Sequence, residues 1–117
     1  MAQDQDLNKL IAHYFYLYSF NGDPSFVLSI FTGDTFEIDN PLLGNSKASF
    51  ISYFEDLDDQ YEDRTIVIER SIASKDLVTM QTTQTWSADK KYASMNFFKF
   101  NESGEIIAYW DKISSIK

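Results

Sequence analysis

The residues best placed to do chemistry lie in one apolar run near the C-terminus, Ile106-Ile107-Ala108-Tyr109-Trp110-Asp111-Lys112-Ile113. It reads as a β-strand with an acid in its middle. If its side chains alternate, Ile107, Tyr109, Asp111 and Ile113 share one face. A carboxylate among apolar neighbours costs several kcal/mol unless it is paired, neutral or wet. Two readings follow. In one, Asp111 is a base in an aromatic-walled pocket whose burial brings its pKa toward neutrality. In the other, it pairs with Lys99 or Lys112, or lies on a wet sheet edge.

Other polar groups could work with it. Asp39 would make a second pocket acid, and neighbouring carboxylates push their pKa values apart; equally, Asp39 could cap the turn at Asn40-Pro41. Asn40 could donate to a substrate oxygen or hold that same turn. Tyr14 and Tyr18 stand one helical turn apart, as donors to a developing oxyanion or as core residues. Phe54, Trp86, Met95, Phe98 and Tyr109 are candidate pocket walls, with plain core packing as the alternative. His13 is the only histidine and falls off the apolar stripe of its helix, so we expect it to be exposed. One histidine and no cysteine make a metal site improbable, and no cofactor is expected.

Composition narrows the classes further. The 117 residues fit one domain, residues 1–117. Ten Phe, seven Tyr and two Trp suit a small fold walled with rings. A formal net charge of −8 argues against nucleic acid, whose phosphates it would repel. The absence of cysteine removes disulfides and thiol nucleophiles and suits a reducing compartment. No run reaches a membrane span of about 18 apolar residues, and the polar start MAQDQDLNK lacks a signal peptide's pattern. The expectation is a soluble, cytoplasmic protein.

Leu7, Leu10, Ile11, Tyr14, Leu17 and Tyr18 follow a helical spacing from Asp6 to Phe20, ended by Asn21-Gly22. Asp23-Pro24 then opens a short helix to Phe31. Thr35 to Asp39 reads as a brief strand, closed by Asn40-Pro41. Ser46 can cap a third helix carrying Phe50, Ile51, Tyr53, Phe54 and Leu57. The acidic run from Glu55 to Asp63 reads as that helix's solvated end. Four strands complete the chain: Thr65–Ala73, Asp76–Ser87, Tyr92–Phe100 and Glu105–Ser115, joined by hairpin-style turns. Along the second of these, Val78, Met80, Thr82, Gln84 and Trp86 share one face, and Thr79, Gln81, Thr83 and Thr85 the other.

Three signatures in this order carry a resemblance. They are Phe20-Asn21-Gly22-Asp23-Pro24 between the first helices, Asp39-Asn40-Pro41 with Gly44, and Phe97-Phe98-Lys99-Phe100 followed by Ser103-Gly104-Glu105 and Tyr109-Trp110-Asp111. Nearly the whole chain resembles the SnoaL-like branch of the nuclear transport factor 2-like superfamily, which includes polyketide cyclases and ketosteroid isomerases. The resemblance implies an α+β fold, a cone-shaped curved antiparallel sheet wrapped around three N-terminal helices in a cystatin-like arrangement, with a ligand pocket inside. It implies that Asp111 is the acid–base residue and that Asn96, on the preceding strand, faces it. The chain departs from the family by having Tyr109 and Asp39 where histidines are frequent, and Asn40 where ketosteroid isomerases place their base.

Two functions follow. One is a cofactor-independent isomerase, cyclase or dehydratase that moves a proton next to the carbonyl of an apolar small molecule. The other is a non-catalytic ligand-binding or dimerisation module on the same fold. The outer face at Thr79, Gln81, Thr83 and Thr85 predicts a homodimer through the sheets.

Overall fold

The computed structural model describes residues 4–39 and 46–116. Three helices and a strongly curled mixed sheet, a half-barrel, make up an α+β fold. The helices are α1 (Gln5–Phe20), α2 (Pro24–Phe31) and α3 (Lys47–Gln60). The strands are β1 (Thr32–Asp39), β2 (Thr65–Ser74), β3 (Leu77–Ser87), β4 (Lys90–Phe100) and β5 (Ile106–Ser115), in spatial order β1-β5-β4-β3-β2. The β2–β5 meander is antiparallel throughout. Its last strand returns beside β1, and that pair is parallel, so the sheet is mixed rather than wholly antiparallel.

Local chemistry sets the boundaries. Asp4 caps α1 by accepting from the Leu7 N–H at 3.0 Å, and Ser46 caps α3 by accepting from Ser49 at 3.1 Å. Gly22 ends α1 with φ +99°, and a Cβ there would lie 2.9 Å from the Asp58 carboxyl. Gly22→Ala should therefore lower stability by about 1–2 kcal/mol, read as a shifted urea midpoint with unchanged slope. A midpoint that did not move would show that the junction tolerates the left-handed side chain.

Helix α1 corrects one expectation. Its buried residues are Asn8, Ala12, Phe15, Tyr16, Ser19 and Phe20. The stripe read as core-facing contributes instead the exposed Leu7, Leu10, Tyr14 and Tyr18. The helix is apolar on two sides, and both stripes have the same 3.6-residue period, so periodicity could not choose between them. Ala12 and Ser19 are small buried positions on this side, and Phe15 and Phe20 fill the interior beside them. Tyr14 and Tyr18 pair with each other outside, their rings 5.0 Å apart, and Tyr18 stacks on exposed Phe26 at 6.0 Å.

Strand β5 corrects a second. Lys99 pairs with Ala108 but Phe100 with Ile106, so Ile107 is the extra residue of a bulge. Ile106, rather than Ile107, therefore joins Tyr109 in the core, and Tyr109 and Asp111 keep the inner face. Rings make up half of the described buried apolar residues in the core between sheet and helices. Phe50 lies 5.5 Å from Phe15, 4.9 Å from Phe54 and 5.8 Å from Tyr109, and Phe98 lies 5.1 Å from Tyr109.

Candidate active site

The inner faces of β3, β4 and β5 bring Thr82, Gln84, Trp86, Ser94, Asn96, Tyr109 and Asp111 together, because alternate residues of a strand point the same way. Asn96 stands directly opposite Asp111 in the β4–β5 register. The Tyr109 hydroxyl donates to Asp111 Oδ2 at 2.5 Å, and Asn96 Nδ2 donates to the Tyr109 hydroxyl at 2.9 Å. Asn96 Nδ2 also points at Asp111 Oδ2 from 3.5 Å, at the edge of hydrogen-bond reach. The other carboxylate oxygen, Asp111 Oδ1, is buried and has no partner among the described residues.

Among the described residues Asp111 forms no ion pair; the only one there is Arg64–Asp58. Lys99 and Lys112 are both exposed. Burial pushes the Asp111 carboxyl up to about 6 from 3.8, and the hydrogen bond from Tyr109 opposes that rise. Burial also raises the hydroxyls of Tyr109, Tyr16 and Tyr53, with the Asp111 charge adding to each. At neutral pH the site thus holds one carboxylate among neutral phenols. A carboxyl titrating near 6 can both take and return a proton close to neutrality.

Of the residues singled out in the sequence, Asp111, Asn96, Tyr109 and Phe98 meet here. Phe54 belongs to the same ring cluster through Phe50 and Tyr16. Trp86 sits further along β3, half-buried between Tyr61 and Tyr92 at 5.5 and 4.2 Å. Tyr14 and Tyr18 are not part of the site; they lie on the outer side of α1. Met95 points to the outer face, where it lines two grooves, and so is no inner wall. Asp39 ends β1 opposite Trp110 and is described by its backbone alone. Asn40, Pro41 and Gly44 lie outside the described residues. His13 is half-buried rather than exposed, its Nε2 2.7 Å from Ser71 Oγ, and burial lowers its pKa.

Sequence reasoning missed Tyr16 and Tyr53. Tyr16 is 3% exposed and accepts from Gln84 Nε2 at 2.9 Å. It stands two residues from the expected Tyr14 and Tyr18, on the opposite helix face, so its signal was hidden by the choice of stripe. Tyr53, on α3, is half-buried, and among the described residues its hydroxyl has no hydrogen-bond partner.

No family model matches the chain, and no curated protein matches it. Solved structures do. AclR of Streptomyces galilaeus, described as a candidate hydroxylase, is 14% identical with a TM-score of 0.79 over 95% of this chain and 91% of that one. A candidate SnoaL-like polyketide cyclase from Jannaschia sp. CCS1 is 11% identical with a TM-score of 0.76, covering 97% and 90%. A candidate ketosteroid isomerase from Kribbella flavida is 14% identical with a TM-score of 0.72, covering 97% and 82%. The protein has the nuclear transport factor 2-like fold of SnoaL-like and ketosteroid isomerase-like proteins. At such identity the likeness defines the fold, and the chemistry must be argued from the side chains. Among the described residues no helix is long and apolar enough to cross a membrane.

Proposed function

We propose that the protein binds a small, largely apolar carbonyl compound against the rings around Tyr109, and that Asp111 moves a proton at the carbon next to that carbonyl. The observation that carries this reading is the state of Asp111: largely buried and, among the described residues, without a cation and with Oδ1 unpartnered. A purely structural carboxylate would have both oxygens satisfied, since an unpaired buried acceptor costs about 1–3 kcal/mol. In the reaction, Oδ1 takes the α-proton, and the C–H electron pair moves into the carbonyl to form an enolate. Return of the proton to another carbon gives isomerisation; attack of the enolate carbon on an electrophile gives cyclisation; loss of a β-hydroxyl gives dehydration. Tyr53 is the donor this reading assigns to the enolate oxygen, because the hydrogens of Asn96 and Tyr109 are already directed within the site.

The test needs no cognate substrate. α-Proton exchange of cyclohexanone, 2-tetralone and 3-cyclohexen-1-one in D2O is followed by NMR with and without protein. At least one ketone should exchange about 100-fold faster than in buffer, the lower range of general base catalysis. A second reading, a ligand holder without chemistry, is favoured by the engagement of Asn96 and Tyr109 within the protein. Ketones that shift protein resonances yet exchange at the buffer rate would establish it and refute the enzyme.

The reading extends to assembly. On the outer face Ile72, Thr79, Phe97 and Trp110 align across the sheet, and Phe97 stacks on Trp110 at 5.4 Å. Beside them Arg70, Met95 and Lys112, with Glu69 and Thr83, line two adjoining grooves of about 320 and 230 Å³. The charged residues that line these grooves, Arg70, Lys112 and Glu69, nearly balance in a chain of net charge −8, so two copies meet here with little like-charge repulsion. Light scattering should give twice the 13.6 kDa chain mass, and the double substitution Met95→Glu, Phe97→Glu should halve it. A parent protein that stays monomeric at millimolar concentration would refute the pairing.

A further inference from the structure

The polar side chains on the inner face form one hydrogen-bond chain whose direction is fixed from both ends. Indole can only donate, and Trp86 Nε1 donates to Gln84 Oε1 at 2.9 Å. That orients the Gln84 amide, leaving Nε2 to donate to Thr82 Oγ1 at 3.2 Å and to Tyr16 at 2.9 Å. At the other end a carboxylate can only accept, so Tyr109 donates to Asp111 Oδ2 at 2.5 Å. The Tyr109 oxygen accepts from Asn96 Nδ2 at 2.9 Å, which turns Asn96 Oδ1 toward Ser94, the donor to it at 2.8 Å. Ser94 has then used its single proton, so in the 2.5 Å contact between the two hydroxyls Thr82 donates and Ser94 accepts. From Trp86 through Gln84, Thr82, Ser94, Asn96 and Tyr109 to Asp111, every bond points the same way.

We propose that this one-way chain is a positioning device: it keeps Oδ2 occupied and leaves Oδ1 as the atom of Asp111 that takes and returns a proton, with Trp86, Gln84, Thr82 and Ser94 acting on Asp111 through it. The chain polarises but does not conduct, because the amides of Gln84 and Asn96 do not release protons at neutral pH and interrupt any hopping. Successive donors strengthen one another along such a chain, so the last bond, from Tyr109, stabilises the carboxylate more than an isolated phenol would. Protonation of Asp111 at Oδ1 leaves Oδ2 still accepting from Tyr109, and the chain persists in both states. Among the described residues, the groups facing Asp111 from the packed elements are Tyr109 on β5, Asn96 on β4, Tyr16 on α1 and Tyr53 on α3, none of them charged at neutral pH. The protonation state of Asp111 therefore reports on the chain rather than on a neighbouring titration.

The experiment follows the Asp111 carboxyl carbon by NMR through an acid–base titration of the full chain. Ser94→Ala cuts the chain at its middle and frees the Asn96 amide to turn, so the midpoint should rise by about half a pH unit or more. Ser94→Thr restores the hydroxyl and should return the midpoint to the parental value. Trp86→Phe removes the first donor at a half-buried site and should give a smaller rise. Unchanged midpoints in Ser94→Ala and Trp86→Phe, alongside a raised one in Tyr109→Phe, would show that only the last bond matters and would overturn the proposal. Should Ser94→Ala fail to fold, Trp86→Phe alone decides. The inference rests on the base reading of Asp111 only in calling Oδ1 the reacting atom. Inert ketones with shifted midpoints would refute the function and keep the chain, whereas unshifted midpoints refute the chain whatever the ketones do.

Discussion

Asp111→Asn is expected to melt higher than the parent at about pH 8 while losing about 100-fold or more of its α-proton exchange activity. Both effects have one cause. Burial raises the carboxyl to about 6 from an unfolded value near 3.8, so the folded chain holds this proton more tightly than the unfolded one. The stability it contributes is therefore fully present below the unfolded value and is lost as pH rises through the folded one. The shift, about 6 against 3.8, is roughly two units, or about 3 kcal/mol above both pKa values. Asparagine keeps the shape, still accepts from Tyr109 and never ionises, so it avoids that penalty but cannot take a proton. For a domain of this size the gain corresponds to roughly 10 °C. It should shrink toward zero below about pH 4, where the parent carboxyl is neutral as well. A variant less stable than the parent at neutral pH, with the gap closing in acid, would mark Asp111 as a structural anion instead.

Arg64→Ala should give the largest loss of stability, about 3 kcal/mol, read from the urea midpoint. The Arg64 side chain is 4% exposed and pairs with Asp58 at 2.7 Å. Its Nε donates to the Phe20 carbonyl at 2.8 Å, Nη1 donates to the Tyr61 carbonyl at 3.0 Å, and the guanidinium lies 5.4 Å from the Phe20 ring centroid. One planar fork thus ties the C-terminal ends of α1 and α3. Truncation uncovers the Phe20 ring and leaves two carbonyls without their charged donor, and such bonds are worth about 1.5–3 kcal/mol each before water replaces them. Asp58 is half exposed, so Asp58→Ala should remove less than about 1 kcal/mol. If the two variants lost equal stability, the ion pair and not the carbonyl bonds would be the tie.

Most elements were legible in the sequence because their signals are local. Asp23-Pro24 placed α2 at its observed start, Ser46 marked the cap of α3, and alternation together with short turns gave β2 to β5 within two residues. What escaped depends on tertiary choice. The two apolar stripes of α1 are equivalent to any period-based reading, and only the tertiary burial of Ala12, Phe15, Tyr16, Ser19 and Phe20 selects one. The bulge at Ile107 has no residue signature, since Ile106-Ile107 looks like an uninterrupted strand. Asp111 opposite Asn96 was readable from strand order together with the family resemblance. The hydrogen-bond chain from Trp86 was not, because Thr82 and Gln84 look like wet strand residues until β4 supplies Ser94 and Asn96 beside them. Arg64, in a short connection between α3 and β2, carried no signal of the three groups it joins.

The most direct test of the central claim is the titration of the Asp111 carboxyl in the unmodified protein, assigned by comparison with Asp111→Asn and followed by its carbonyl-carbon shift. A largely buried base without a cation should titrate with a midpoint near 6. A midpoint at or below about 4, the range of a free or ion-paired aspartate, would contradict the account.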